Sequence, residues 1–592
     1  MRRKLSAAMH TRPQRTSSKL LLIAASSWLR IVLNIVVTII LAPMLIQHLG
    51  LAMFGILSLV TVTMGANNPM RAAVGKTLTR ELTGALSSGD GKRISTVFSN
   101  GIVLAAIASC IAATVAAALV ITGPLFLKHP PGSTNLLRLA LACEAVLIVE
   151  VLALFPYKNL YIASHRHLQE NLHRTVDRIM DLTAAVLAIY LLPMVVTVNV
   201  FAAFVILRVL LRSFHGVAKA FEIRHLEPHA RFRRSLVSRS VLKSLASTGG
   251  LAMGNQTARL GFYSSDPILL NLFFGPVYNG IYQVINQLRG FTRMFGGNLA
   301  FGVESVAADL HEKGRAATNQ ALLLTVMRVA FGVTAFFAVI MGCFAGPIME
   351  VWIGKRLMTA QNQAQLAAVG MTTQHAFVFA WQFFAIMIPG VVLAETNVAA
   401  GNILYGMGHE KKTAPALMGG AAIKIGLATA AMFIWRDARA MAVATVLCQI
   451  ALFGVYFPLL IRRLMGIPLR QQFVQTFLRP SLPLIPVLAI GATLVLNVQK
   501  WDLLTLFACC AGLGMLWAPL AFFIVFEKSE RLRIIAMFGP VMRRVGLGKY
   551  VPDVAPVKKR KKGERKRMLE EQRIAAEAQA AEEQTADSDR PG

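Results

Sequence analysis

The chain has 592 residues, of which 55% are hydrophobic and only 15% are charged, and its mean hydropathy is +0.57. This composition excludes a water-soluble globular protein, because the apolar residues form runs that approach or exceed the roughly 20 residues needed to cross about 30 Å of hydrocarbon. The net charge of +32 would suit a nucleic-acid-binding protein, but the basic residues lie between the apolar runs, so no nucleic acid is implied as a partner.

Fourteen apolar runs are predicted to be transmembrane helices, which makes the chain an all-α polytopic membrane protein. They lie at about residues 20–46, 50–68, 98–121, 137–160, 177–193, 195–214, 243–264, 267–288, 321–346, 374–396, 413–435, 439–461, 481–498 and 503–526. The first run is too long for a signal-peptide core and is followed by many further spans. All six cysteines lie in apolar runs, without disulfide or zinc-ligand spacing, so we expect no metal site and no cofactor.

Lys and Arg residues alternate strictly between the connecting segments. The N-terminus and the segments after spans two, four and six are basic, whereas "QHLG", "LLPMVV" and "FYSSD" contain no Lys or Arg. The positive-inside rule therefore predicts that both termini are cytoplasmic. The C-terminal tail combines "VKKRKKGERKR" with a stretch rich in Ala, Glu and Gln, which indicates either a solvated, disordered tail or a contact for anionic lipid or a partner protein.

An internal repeat with an offset of 225 residues relates the two halves of the chain. Gly50 corresponds to Gly275 and Gly55 to Gly280, so each half is predicted to contain a tight outer hairpin with closely packed helices. Parallel repeats about an axis along the membrane normal are common in transporters, with the substrate between the lobes. The predicted domains are a basic cytoplasmic N-terminus (1–19), an N-lobe of spans one to six (20–214), a basic cytoplasmic linker (215–242), a C-lobe of spans seven to twelve (243–461), two extra spans (462–526) and a charged cytoplasmic tail (527–592).

Three stretches resemble a known family. "LAPMLIQHLGLAMFGILSLV", with its aromatic–glycine pair Phe54–Gly55, resembles the first hairpin of polysaccharide exporters in the multidrug/oligosaccharidyl-lipid/polysaccharide (MOP) superfamily. "SSDPILLNLFFGPVYNGIYQVINQL" is similar to their second-half hairpin, and "RELTGALSSGDGKR" to their segment after span two.

The resemblance implies a MATE-like fold of two lobes around a central cavity, in a bacterial inner membrane. It also implies a flippase rather than an enzyme: a polyprenyl-pyrophosphate-linked oligosaccharide would move from the cytoplasmic to the periplasmic leaflet by alternating access, for cell-surface polysaccharide biosynthesis. The implied partners are that lipid-linked glycan, membrane lipids and other polysaccharide-assembly proteins that bind the cytoplasmic tail.

Basic residues inside the predicted spans indicate a substrate site, because a charge at the bilayer centre costs about 2.5–3.5 kcal/mol. Arg30 lies well inside the first span, Asn34 follows one turn later on the same face, and Lys424 is central in span eleven. A guanidinium suits pyrophosphate because it stays charged and can form two parallel bonds to phosphate oxygens. We expect Arg30, Asn34 and Lys424 to bind the pyrophosphate in the cavity, together with Arg259, which aligns with Asn34 in the repeat.

Two acidic residues, Glu144 and Glu150, lie in the fourth span. They are predicted to bind a coupling proton or sodium ion, or to pair with cavity cations. The structural alternative is a buried Arg30–Glu150 pair that holds the lobes in shape. Other charged residues, such as Arg212 and Asp266, are predicted to lie near helix ends and to reach the interface by snorkelling.

Other functions stay open at this stage. A MATE-like drug or cation exporter, coupled to protons or sodium, would favour an acidic, aromatic-lined cavity, and a lipid II flippase has no distinguishing signature here. A membrane polysaccharide polymerase or ligase would need a sizeable external loop, but the longest predicted external connection, about 347–373, carries few charges. The last alternative is a scaffold that recruits partners through its basic tail.

Overall fold

The computed structural model describes residues 13–65, 68–197, 199–299, 303–528, 530–532 and 535. This part of the chain is helical and contains no strand. The predictions for the extreme N-terminus (1–12) and for the charged tail beyond residue 535 lie outside the described residues.

The helices follow one another with short connections. Those of the first half are α1 (Pro13–Leu49), α2 (Leu51–Met64), α3 (Asn68–Ser88), α4 (Gly91–Phe126), α5 (Thr134–Ala153), α6 (Phe155–Ala163), α7 (His167–Val195) and α8 (Val200–Leu226). Those of the second half are α9 (Arg239–Ser264), α10 (Asp266–Phe274), α11 (Pro276–Leu299), α12 (Val303–Glu312), α13 (Ala316–Leu357), α14 (Ala360–Ala367), α15 (Thr373–Gly406), α16 (Glu410–Trp435), α17 (Arg439–Met465), α18 (Leu469–Asn497) and α19 (Leu503–Ile524).

Among the described residues, ten helices are long and apolar enough to cross a membrane. The number rises to eleven if α5 and α6, which are bent by 47° at their junction, count as one span. The all-α polytopic fold is therefore confirmed. The number fourteen and the cytoplasmic position of both termini stay predictions.

The boundary predicted between spans seven and eight coincides with the junction of α9 and α10 at Ser265, although Ser265 keeps helical dihedral angles (φ −74°, ψ −22°). A second break, at Gly275, divides the predicted span eight into α10 and α11. Asp266 lies at a helix end, as predicted, but the expectation that it snorkels to the interface is wrong, because its side chain is completely buried. Span two also differs from its prediction, since α2 has only 14 residues and α3 follows where a connection was expected.

The two repeat-related turns have nearly the same backbone. Gly50 has φ 82° and ψ 160°, and Gly275 has φ 88° and ψ −173°. Only glycine adopts this region readily, which explains why both halves carry it. The residues on the following helices also meet across the repeat, because Ser58 Oγ donates to Gln283 Oε1 over 2.6 Å and these two positions are 225 residues apart.

The outer connection predicted at 347–373 is mostly helical, since α13 continues to Leu357 and α14 follows. Asn362 Oδ1 on α14 accepts from Leu51 N over 2.8 Å, and Gln365 Oε1 accepts from Ala52 N over 2.9 Å. These bonds satisfy backbone donors of the first turn of α2 that have no partner within the helix.

The corresponding turn in the second half is closed by the connection between α4 and α5. Asn271 Oδ1, on α10, accepts from Lys128 N over 2.7 Å, and Asn271 Nδ2 donates to Lys128 O over 2.8 Å. In each half, a connection that was predicted to be external therefore binds the hairpin of the other half.

The linker after α8 packs against the start of α4. Ser95 Oγ donates to His229 O over 2.7 Å, and Asn100 bonds to both Leu236 O (3.0 Å) and Ser238 N (2.9 Å). Two connections that were predicted to be cytoplasmic therefore lie at the same end of the protein. The two halves also share a buried apolar cluster that extends from α1 and α2 through α11 to α15.

Candidate functional site

Two neighbouring helices of the first half, α7 and α8, carry charged faces. On each helix the ionisable residues recur every three, four or seven positions, which places them on one side. They are Glu170, Arg174, Asp177 and Asp181 on α7, and Arg208, Arg212, His215, Lys219 and Glu222 on α8. Because α7 and α8 pack together, these faces form one electrostatic unit with α5 and α6.

A cavity of about 320 Å³ opens against these faces. Its charged lining residues are Arg71, Glu150, Lys158, Glu170, Arg174, Asp177, Arg212 and Lys219. Five of the eight are basic and three are acidic, so the lining is positive at neutral pH. Low-dielectric walls focus such a field and attract anions. We call this space the cationic cavity.

Glu170 positions three of the basic groups. Its buried carboxylate lies 2.6 Å from Lys219 Nζ, 2.9 Å from Arg174 Nε and 3.8 Å from Lys158 Nζ. One negative charge cannot balance three positive ones, although it offsets part of the cost of burying them. The cations are therefore held in place and retain capacity for a further anion.

On α1, Arg30 lies near this group and interacts electrostatically with Arg174 and Glu170, and Asn34 follows one turn later on the helix. Within the described part of the chain, Arg30 Nε and Asn34 Oδ1 are buried without a hydrogen-bond partner. A buried polar atom of this kind costs about 1–3 kcal/mol unless water or a ligand satisfies it. Both predicted side chains thus have free hydrogen-bonding groups, and that of Arg30 interacts with two lining residues of the cationic cavity.

Glu150 lines the cationic cavity and accepts a hydrogen bond from Ser213 Oγ. No ion pair joins Glu150 to Arg30 among the residues that the structure describes, so the structural alternative of an Arg30–Glu150 pair is not what holds this region together.

Glu144 belongs to a second ionic network. Arg208 bridges two carboxylates, with Nη1 at 2.7 Å from Glu144 Oε2 and Nε at 3.2 Å from Asp181 Oδ1. Arg212 Nε also lies 3.3 Å from Asp181 Oδ1. The expectation that Arg212 snorkels from a helix end is wrong, because α8 extends to Leu226 and places Arg212 in its middle.

Lys424 lies apart from the cationic cavity, in the second half. Its completely buried Nζ contacts Asp266 and lies 2.7 Å from Ser265 Oγ. Asp266 also accepts from Tyr282 OH over 2.9 Å, and Arg289 Nη1 lies 3.6 Å away. We call these residues the Asp266 cluster.

The structure does not bring all the predicted substrate residues together. Lys424 has a buried counter-ion and is not a lining residue of the cationic cavity. Arg259 is exposed on α9, with no ion pair or hydrogen bond of its side chain found in the described residues. Of the four predicted contacts, Arg30 is the one for which the described part of the chain shows an interaction with lining residues of the cavity.

The basic residues of the cavity were missed in the sequence because they were attributed to cytoplasmic connections. Arg71, Lys158, Arg174 and Lys219 all follow predicted even-numbered spans, where the positive-inside rule accounts for them. The helical spacing on α7 and α8 was the signal that could have revealed them, since a charged face of this length requires a polar environment.

No protein-family model and no curated protein sequence matches this chain. Solved structures match in fold. The lipid II flippase MurJ in an inward closed conformation has a TM-score of 0.58 and 12% identity, over 85% of this chain and 98% of that chain. A MATE family multidrug resistance transporter of the MOP superfamily, in an inward-facing conformation, has a TM-score of 0.53 and 12% identity, over 74% of this chain and 98% of that chain.

A MATE transporter from Vibrio cholerae has a TM-score of 0.52 and 12% identity, over 77% of this chain and 99% of that chain. At these identities the likeness concerns the fold. The chain thus has the fold of MOP-superfamily transporters and flippases, as the hairpin motifs predicted.

Proposed function

We propose that this protein flips a polyprenyl-pyrophosphate-linked oligosaccharide from the cytoplasmic to the periplasmic leaflet of a bacterial inner membrane, for cell-surface polysaccharide biosynthesis. The observation that carries the proposal is the cationic cavity, in which five basic side chains converge, three of them from α7 and α8, which are each long and apolar enough to span a membrane. A cluster of lysines that faces water would not need to line an enclosed cavity.

The chemistry of the cavity suits a pyrophosphate. That group carries at least two negative charges and loses its hydration when it leaves the headgroup region, so it needs cations to replace the water. Arg174 and Arg71 offer planar donor pairs that match phosphate oxygens, and the unpaired Arg30 Nε adds a further donor. Because Glu170 already holds Arg174 and Lys219 in place, these two side chains lose little further conformational entropy when an anion binds.

The repeat supports alternating access as the mode of transport. Glycines at the crossing of α2 and α11 let the halves approach closely, and small residues at such contacts allow helices to shift against each other. Parallel repeats of this kind enclose a substrate near the middle of the membrane.

The charge of the cavity also distinguishes the competing functions. A drug or cation exporter would need an acidic lining, whereas most of the charged lining residues here are basic. One structural neighbour is a lipid II flippase, so transport of a lipid substrate is compatible with this fold.

The test is lipid analysis in the host. Deletion of the gene should cause an isoprenoid-pyrophosphate saccharide to accumulate, detected by mass spectrometry of extracted lipids, and wild type should relieve this. Arg174→Gln should not relieve it, because it removes a cavity cation. Arg80→Gln should relieve it, because Arg80 is an exposed basic residue of α3. Membrane levels of both variants are compared by immunoblot. An unchanged lipid pool in the deletion strain, with new drug sensitivity, would overturn the proposal in favour of an exporter.

A further inference from the structure

Four titratable side chains on α7 and α8 form an unbroken series of hydrogen-bonding distances. Asp177 Oδ1 lies 2.8 Å from His215 Nδ1. His215 Nε2 lies 3.1 Å from His173 Nδ1. His173 Nε2 lies 2.9 Å from Glu222 Oε2. We call these four residues the histidine relay.

The number of protons in the relay follows from its geometry. Each of the three contacts needs one proton between its two atoms, because neither a carboxylate oxygen nor a bare imidazole nitrogen can donate. Two neutral imidazoles supply two protons, and two ionised carboxylates supply none. With only two protons, one of the three contacts has no proton, and the lone pairs of its two atoms face each other. All three bonds form only when the relay holds one additional proton.

The relay connects a partly exposed group with the cationic cavity. The Glu222 side chain is 41% exposed, whereas those of His173 and His215 are 13% and 10% exposed. At the other end, Asp177 is a lining residue of the cavity. An imidazole can accept a proton at one nitrogen and release one from the other. A proton taken up at Glu222 can therefore reach Asp177 through the two histidines.

The relay has charged neighbours of both signs, and at Asp177 it borders the positive lining of the cationic cavity. The ionisable groups with the strongest electrostatic or ring contacts to the relay on α5, α6, α7 and α8 include Glu150, Tyr161, Glu170, Arg212 and Lys219. Two of these are acidic, two are basic, and Tyr161 packs edge-on against His173 with its hydroxyl bonded to Lys219 O. The positive lining of the cavity disfavours the extra proton while the cavity is empty, and a bound anion offsets that lining, so the proton is held more strongly when an anion is bound.

We infer that the histidine relay is a proton-binding site, and that its proton and an anion in the cationic cavity bind cooperatively. The second part of this inference rests on the proposed function. A pyrophosphate in the cavity adds negative charge beside Asp177 and so favours the extra proton. By linkage, binding of the proton raises the affinity for the anion by the same factor by which the anion raises the affinity for the proton. Factors of about 5- to 150-fold are typical of such coupling.

The first part is tested by nitrogen NMR of the full-length protein with ¹⁵N-labelled histidine in detergent micelles. His173 and His215 are assigned by single replacement with Gln. We expect the pair to share one imidazolium at pH values where the exposed His225 on α8 is already half neutral, and Glu222→Gln to abolish this. The proton site is overturned if His173 and His215 both become neutral at or below the pH at which His225 does.

The second part is tested by calorimetric titration with inorganic pyrophosphate in buffers of different ionisation enthalpy. The pH is set one unit above the value at which the relay is half protonated in the NMR titration. Without pyrophosphate, most molecules then lack the extra proton. For couplings of about 5- to 150-fold, wild type should take up about 0.2 to 0.8 proton per pyrophosphate bound. His215→Gln should bind more weakly and take up none, and His225→Gln should behave as wild type.

Pyrophosphate binding by wild type without proton uptake would overturn the cooperativity. Absence of any pyrophosphate binding would count against the proposed substrate and against the cooperativity, while the NMR titration would still decide whether the relay binds a proton.

Discussion

Gly55 on α2 and Gly280 on α11 occupy equivalent positions of the repeat, and each packs against the backbone of the other helix. A Cβ atom at Gly55 would collide with Pro276 O and lie 2.6 Å from Gly280 N, and a Cβ atom at Gly280 would collide with Leu51 O. Leu51 and Pro276 are themselves 225 residues apart. The contact is thus unchanged when the halves are exchanged, as at a two-fold axis.

We predict that Gly280→Ala destabilises the protein by about 1–3 kcal/mol, since the added methyl group meets a backbone oxygen that cannot move away without shifting a helix. The measurement is thermal unfolding of the purified protein in detergent. Gly290→Ala, on the same helix, is the matched control, because nothing lies within 4 Å of its added Cβ atom. Equal changes in the two variants would contradict a tight contact at Gly280.

The repeat could be predicted from the sequence because its turn requires glycine at a fixed spacing, and Gly50 and Gly275 preserve that spacing. The Asp266–Lys424 pair could not be predicted, because its members are 158 residues apart and only tertiary packing brings them together. The cationic cavity could be predicted from the sequence only in part. Its residues have a helical period, but a basic residue beside an apolar run fits the positive-inside rule equally well, so the sequence alone did not separate the two interpretations.

The Asp266 cluster allows a prediction about two single substitutions. Asp266→Asn should destabilise the protein more than Lys424→Met, because it leaves Lys424 and Arg289 buried without their carboxylate, whereas Lys424→Met leaves Asp266 beside Arg289. Removing one partner of a buried pair costs about 3–5 kcal/mol. Thermal unfolding and the yield of folded protein report the difference.

A control for the Asp266 cluster is the exposed Asp309–Lys313 pair on α12 and the turn after it. Asp309→Asn should change stability by no more than about 1 kcal/mol, because solvent screens this pair. If Lys424→Met proved more damaging than Asp266→Asn, Asp266 would not be the shared counter-ion that its contacts indicate.

The cap of α2 by α14 predicts a loss of stability when its side-chain acceptor is removed. Asn362→Ala should destabilise the protein by about 1–2 kcal/mol, because it removes the acceptor for Leu51 N at the start of the helix. Gln363→Ala is the control, since Gln363 is exposed on the same short helix. Thermal unfolding measures both. A loss of the same size for Gln363→Ala would show that α14 matters through its helicity and not through this bond.

The cationic cavity predicts different effects of two arginines on one helix. Arg71→Gln should weaken binding of inorganic pyrophosphate about tenfold or more, because Arg71 lines the cavity and charge-assisted hydrogen bonds contribute about 1.5–3 kcal/mol. Arg80→Gln should leave binding unchanged, since Arg80 is exposed and pairs with Glu81. Both residues carry the same charge and both count toward the positive-inside signal. If the anion were held by long-range attraction alone, the two substitutions would therefore weaken binding equally. Calorimetric titration of the full-length protein decides between these outcomes, and equal losses would show that the anion binds through overall charge and not in the cavity.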